Sequence, residues 1–174
     1  MGLFATMPVE EVTVQDIASA VDMTPAAVYY HFASKEQILI EGMQGFRDEL
    51  LAELRGTDPL IGVGPLLQHV VTWVGRRRVP ATVYFVSSIG LNLMVEALRR
   101  EARVEMVEVL RGTVRHVRGR IGRAEAGVIA VALVSLIETS LASMLNQDAS
   151  YRGLGARRFG REVAAIGDRI AGCV

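Results

Sequence analysis

Residues 13–39 read TVQDIASAVDMTPAAVYYHFASKEQIL, and three helix starts are crowded into them. Thr13-Val-Gln-Asp16 is a capping-box variant: the hydroxyl can accept an orphan amide, and Asp16 favours the positive end of the helix that begins there. Ile17, Ala18 and Val21 supply an inward face. Asp22-Met23 makes a tight turn, with Asp22 where a left-handed residue is needed, a conformation aspartate tolerates less well than glycine. Thr24-Pro25 reads as an N-cap plus a first-position proline, opening a second short helix through about His31. Ser34-Lys-Glu-Gln37 is a further capping box. It opens a long helix lined on one side by Leu39, Met43, Phe46, Leu50 and Leu54 and ended by Gly56 and Asp58-Pro59.

Two short helices separated by a tight turn, the second opening on a cap and a proline, describe a helix-turn-helix. In that motif the N-terminal part of the second helix enters the major groove and its surroundings grip phosphates. Counting by angle from Thr24, Met23, Ala27 or Val28, and Phe32 are candidates for packing, while Pro25, Ala26, Tyr29 and Tyr30 can be exposed. Phenol hydroxyls and the His31 imidazole donate to phosphate without a high charge density. The plainer alternatives are packing for the two tyrosines and a structural cap for His31. Pro25 and Ala26 offer only apolar contacts, to thymine methyls, and Gln15 either reads a base or is solvated.

The remainder of the 174 residues is helical in pattern, with apolar residues recurring at three and four, and the chain is expected to be all-α. Helices are expected over Leu66 to about Arg78, with Pro65 at the first position, over Pro80 to about Leu98, and from about Glu101 to Gly119, with the bend near Arg99–Arg103. Ala124 to Asn146 is apolar almost all round and is expected to be buried on several sides. After a loop at Asp148–Gly155, the last helix presents large residues (Phe159, Val163, Ile166, Ile170) on one face and small ones (Gly160, Ala164, Gly167, Ala171) on another.

Formal charge is zero, but it divides unevenly. Residues 1–55 carry three basic and nine acidic groups, and residues 56–174 carry 16 and 10. That balance excludes a protein that binds polyanions by bulk charge. Arginine outnumbers lysine 18 to 1, which reads as GC-rich coding. Cys173, the only cysteine, excludes an intrachain disulfide or a CxxC metal site. His69 and His116 are isolated, Gly62-Val-Gly64 lacks the pattern of a dinucleotide loop, and no catalytic pair occurs at motif spacing. No cofactor, metal, membrane span or catalysis is expected, and a cytoplasmic location is the default.

The runs Thr13–Ala18, Thr24–Phe32 and Ser34–Leu39 resemble, ungapped, the signature of the tetracycline-repressor (TetR) family of bacterial transcriptional regulators. The resemblance covers about residues 3–40; the later helices match the family's ligand-binding body in number and order. It implies Tyr29, Tyr30, His31 and Lys35 as DNA-backbone contacts and Gln15, Pro25, Ala26 and Ala27 as groove-facing positions. The helix N-termini capped by Thr13 and Thr24 complete the DNA-facing set. The family's first helix is represented only by its last turn, at Met1–Phe4, and its usual turn glycines are replaced by Pro8 and Asp22. The acidic head predicts a shallow dependence of DNA binding on salt.

The organisation expected is a head and connecting helix over residues 1–54, and an effector-binding and dimerisation body over 55–174. Trp73, Tyr84, Phe85, Asn92, Met94, Met106, Glu138 and Met144 are the candidates for a cavity that takes a small apolar or amphipathic effector. Glu138, a carboxylate in an apolar helix, must pair, face solvent or meet a ligand. The resemblance implies a repressor that binds a palindromic double-stranded operator as a homodimer through its last two helices. The alternative is a dimeric small-molecule-binding protein whose head does not bind DNA.

Overall fold

The caps read from residues 13–37 are all in place. The Thr13 hydroxyl accepts from the Asp16 amide at 3.1 Å while the Asp16 carboxylate accepts from the Thr13 amide at 3.0 Å, a reciprocal box that starts α2 (Val14–Ala20). Asp22 takes the left-handed turn at φ 53°. Thr24 accepts from the Ala27 amide at 3.2 Å and Pro25 opens α3 (Pro25–His31). Ser34 accepts from the Gln37 amide at 3.3 Å, and Gln37 reaches back to the Ala33 amide at 2.7 Å, starting α4 (Lys35–Gly56). A short α1 (Gly2–Thr6) precedes them and buries Phe4.

The computed structural model describes residues 1–172, so Cys173 lies outside the described residues. Beyond α4 come a 3-10 turn at Pro59–Ile61, α5 (Val63–Gly75), α6 (Arg78–Thr82) continuing into a π-helical turn at Val83–Ser87, α7 (Leu93–Arg118), α8 (Arg123–Asn146), α9 (Ala149–Leu154) and α10 (Ala156–Ala171). Among the described residues there is no strand.

Several boundaries differ from the sequence reading, and α5 stops at Gly75, short of the expected Arg78, where α6 starts instead. α5 starts two residues before Pro65, because Gly62 turns the chain at φ 88° and leaves Pro65 in the first turn, where a missing amide costs nothing. The long bend falls at residues 88–92, while α7 runs unbroken through Arg99–Arg103. Gly90 turns at φ 73°, Asn92 caps the Val95 amide at 2.9 Å, and the Glu96 carboxylate accepts from the Gly90 amide at 2.9 Å. Apolar residues continue across this break and masked it, yet Ile89, Leu93 and Met94 are 60%, 87% and 64% exposed. Finally, Asp148 caps the Tyr151 amide at 3.0 Å and turns the expected loop into α9.

The body is held by close helix approaches. α10 lies along α5: the Asp168 carboxylate accepts from the Gly64 amide at 2.7 Å, and any side chain at Gly167 would collide with Leu67. The small face of α10 is thus used within the chain. Its outer face carries Arg158, Glu162 and Arg169. α8 is long and apolar enough to cross a membrane by composition, but Ala130, Leu133, Val134, Ile137 and Leu141 are buried in the protein core. Its exposed stripe of Val128, Val131, Ala132, Ser135 and Thr139 is uncharged. α4 ties head to body, with Leu39 and Met43 fully buried at one end and Leu50 and Leu54 buried at the other.

Candidate nucleic-acid interface and effector cavity

The face of α3 follows the angular reading. Val28 is 4% exposed and packs inward, so of the two alternatives Val28 is the inward anchor and Ala27 is half-buried. Tyr29 and Tyr30 are 57% and 84% exposed, which removes packing as their role. His31 is exposed in the last turn, its ring 5.0 Å edge-on from that of Tyr30. Ala26 is exposed and Pro25 half-buried beside them; Gln15 and Thr13 lie exposed at the start of α2, as Thr24 does at the start of α3. Met23, expected to pack, and Val21, expected on the inward face of α2, are 40% and 56% exposed, because the turn at Asp22 carries them outward.

The exposed face therefore presents two phenols, an imidazole and helix N-termini as hydrogen-bond donors. Lys35 has a different task. Its ammonium donates to the carbonyls of Val9, Glu10 and Val12 at 2.8, 2.9 and 2.7 Å, using all three hydrogens to close the loop between α1 and α2. The sequence reading placed it on the DNA backbone. A carbonyl cradle twenty-odd residues away leaves no local signal, so only the fold reveals it. At the start of α2, the Thr13 hydroxyl first and then its amide hold the Asp16 carboxyl below its usual range.

In the body, α4, α5, the π-turn, α7 and α8 enclose an apolar void lined by Leu50, Leu54, Phe85, Met106, Leu110 and Ile137, among others. At about 10 Å³ it barely admits one water. Phe85 and Met106 were among the candidates; the leucines and Ile137 were missed because a lining stripe and a core stripe have the same sequence pattern. Tyr84 and Glu138 line a neighbouring polar cleft of about 270 Å³ together with Glu96, Arg99, Arg100 and Arg103. Glu138 pairs with Arg103 of the same chain, which also donates to Ser135 at 2.8 Å. The Tyr84 backbone carbonyl accepts from Arg99, but the Tyr84 hydroxyl is the one buried side-chain polar atom without a partner among the described residues. Burial pushes its pKa up to about 12, against the opposing pull of Arg99 and Arg47.

The other candidates lie elsewhere. Trp73 packs on Phe46 with ring centroids 5.8 Å apart and carries the Arg77 guanidinium 4.1 Å above its ring, a core role. Asn92 is a helix cap and Met94 an exposed residue of the first turn of α7; the unforeseen break at residues 88–92 moves both out of the cavity. Met144 lies under a separate groove between α5 and α10.

Residues 1–41 match the family profile described as "Bacterial regulatory proteins, tetR family". The chain is 40% identical over 54 residues to the HTH-type transcriptional repressor KstR2 of Mycobacterium tuberculosis, a match that covers 31% of this chain and 27% of that protein. The matched stretch thus spans about a quarter of its curated relative. Solved structures extend the likeness to the whole fold. A transcriptional regulator from Rhodococcus sp. Rha1 superimposes with a TM-score of 0.76 at 20% identity, covering 99% of this chain and 95% of that one. A TetR-family transcriptional regulator from Bordetella parapertussis 12822 gives 0.71 at 18%, covering 95% and 88%. The chain is TetR-like in the sequence of its head and in its all-helical fold of head plus body.

Proposed function

We propose that this TetR-like chain is a ligand-responsive transcriptional repressor that binds a palindromic operator as a homodimer. The observation that carries the reading is α3: a capped, proline-started helix whose outward face offers Tyr29, Tyr30 and His31 while Val28 holds it inward. Tyr29, Tyr30 and His31 donate to phosphates, the amides at the capped N-termini of α2 and α3 donate to further phosphate oxygens, and Gln15, Pro25, Ala26 and Ala27 face the groove. Lys35 acts as a positioning residue, bracing the loop that orients α2. The last two long helices, α8 and α10, form the dimer interface, with the uncharged stripe of α8 as its apolar part and Arg158, Glu162 and Arg169 of α10 at its rim. The two recognition helices then stand about 34–36 Å apart, one DNA turn.

Release follows from the closed cavity. A void that admits barely one water cannot hold an effector unless α4, α5, α7 and α8 move apart, and α4 carries the head. An effector therefore favours a second state with a different head separation, and its differential affinity for the two states drives release. The lining selects an apolar ligand. Fluorescence anisotropy on DNA flanking the protein's own gene tests this: Tyr30→Ala should weaken binding at least tenfold without changing the melting temperature. Unchanged affinity would overturn the assigned face. The acidic head, whose only lysine is engaged internally, favours a second reading as a dimeric small-molecule-binding protein, which the absence of saturable DNA binding by the wild-type chain would support.

A further inference from the structure

We propose that the groove between α5 and the N-terminal half of α10 binds a small molecule that carries two or more closely spaced negative charges beside an apolar or aromatic part. The groove has a volume of about 530 Å³ and is separate from the apolar cavity, with which it shares no lining residue. Four arginines line it from three elements: Arg76 just past α5, Arg78 at the start of α6, and Arg157 and Arg161 in the first two turns of α10. Among the described residues no carboxylate lines it. Among the described residues Arg76, Arg157 and Arg161 make no ion pair, and Arg78 is steadied by donating to the Leu145 carbonyl at 3.3 Å. Four like charges around one concavity repel, and a polyanion relieves that repulsion through charge-assisted hydrogen bonds that planar guanidinium groups make well. The groove also has an apolar side. Val71 and Met144 are buried beneath it and Tyr151 stands half-buried at its edge, so the ligand has a part to lay against them.

Isothermal titration of the full chain with inorganic pyrophosphate and with adenosine diphosphate, at matched ionic strength, tests the assignment. Saturable binding of one pyrophosphate per chain is expected, weakened at least tenfold in Arg157→Ala/Arg161→Ala and within twofold of wild type in the exposed pair Arg115→Ala/Arg120→Ala. The nucleotide should bind several-fold more tightly than pyrophosphate, and Tyr151→Ala should erase that advantage. No saturable binding of either probe, or an equal loss in both arginine pairs, overturns the site; equal affinities for the two probes overturn its apolar half. None of these readouts involves DNA, so they stand or fall separately from the repressor reading.

Discussion

Head and body are built from the same kind of element and held by opposite means. The head, from α1 to the start of α4, includes three helix starts tied by nearby polar groups: Thr13 to Asp16 at α2, Thr24 to Ala27 at α3, Ser34 to Gln37 at α4. Helices of seven residues are too short to persist alone, so these caps matter disproportionately there. The body relies on residues far apart in the chain, such as Asp168 on Gly64, Leu67 on Gly167 and the apolar stripes of α4, α5, α7 and α8. The contrast teaches that local chemistry sets the exposed face of α3 while packing sets the shape and closure of the cavity.

The sharpest way to break that contrast is a core deletion. Leu110→Ala removes a side chain that is 2% exposed against the void, and should cost the body about 3 kcal/mol, read as a lower urea midpoint. It should also enlarge the void enough to take a small apolar molecule such as benzene, raising the midpoint of the variant alone. Lys35→Ala strikes a long-range hydrogen-bonded tie of the head. Loss of its charge-assisted bonds to three carbonyls should cost about 2 kcal/mol, with hydrogen exchange rising in α2 and α3 and unchanged in α8.

Tyr84→Phe probes an unpaired hydroxyl rather than a contact. Removing it should raise stability by about 1 kcal/mol at neutral pH. The sign with pH is fixed by the raised pKa: the unfolded phenol ionises near 10 and the folded one near 12, so the neutral ring's contribution is whole below pH 10 and is lost as pH rises toward 12. The variant should lose less stability than wild type across that interval. Thr13→Ala should cost the head about 1 kcal/mol. Because Thr13 holds the Asp16 carboxyl below its usual range, the contribution of that carboxylate is present above the ordinary aspartate pKa and disappears as pH falls through the depressed one. In the variant, acid should therefore destabilise the head less than in wild type, as followed by circular dichroism.

The same contrast explains what could be read from the sequence. Caps, the Asp22 turn, the start of α4 and the exposed face of α3 were legible because each is decided within four residues, and all-α architecture followed from periodicity. Asn92 also caps locally, but the apolar run from Ile89 to Met94 hid the break, since an exposed leucine and a buried one look alike in sequence. Lys35 and Glu138 were rightly singled out as unusual. Their partners, the Val9–Val12 carbonyls and Arg103, are set by tertiary approach and had no signature to find. Cavity lining was legible only at Phe85 and Met106, whose size or sulfur stood out; the aliphatic majority did not.

One consequence of α4 remains mechanical. With 22 residues it is about 33 Å long, and it is gripped by core side chains from Leu39 to Leu54. A rod of that length works as a lever whose short motion at one end is multiplied at the other. In the proposed complex, a tilt of about 5° around Leu54 would carry its Lys35 end, and the loop fastened to it, by roughly 3 Å, close to the ~3.4 Å spacing of successive base pairs. In that proposed dimer, a ligand no larger than a few methyl groups at the far end would suffice, by leverage alone, to put the two heads out of step with their half-sites.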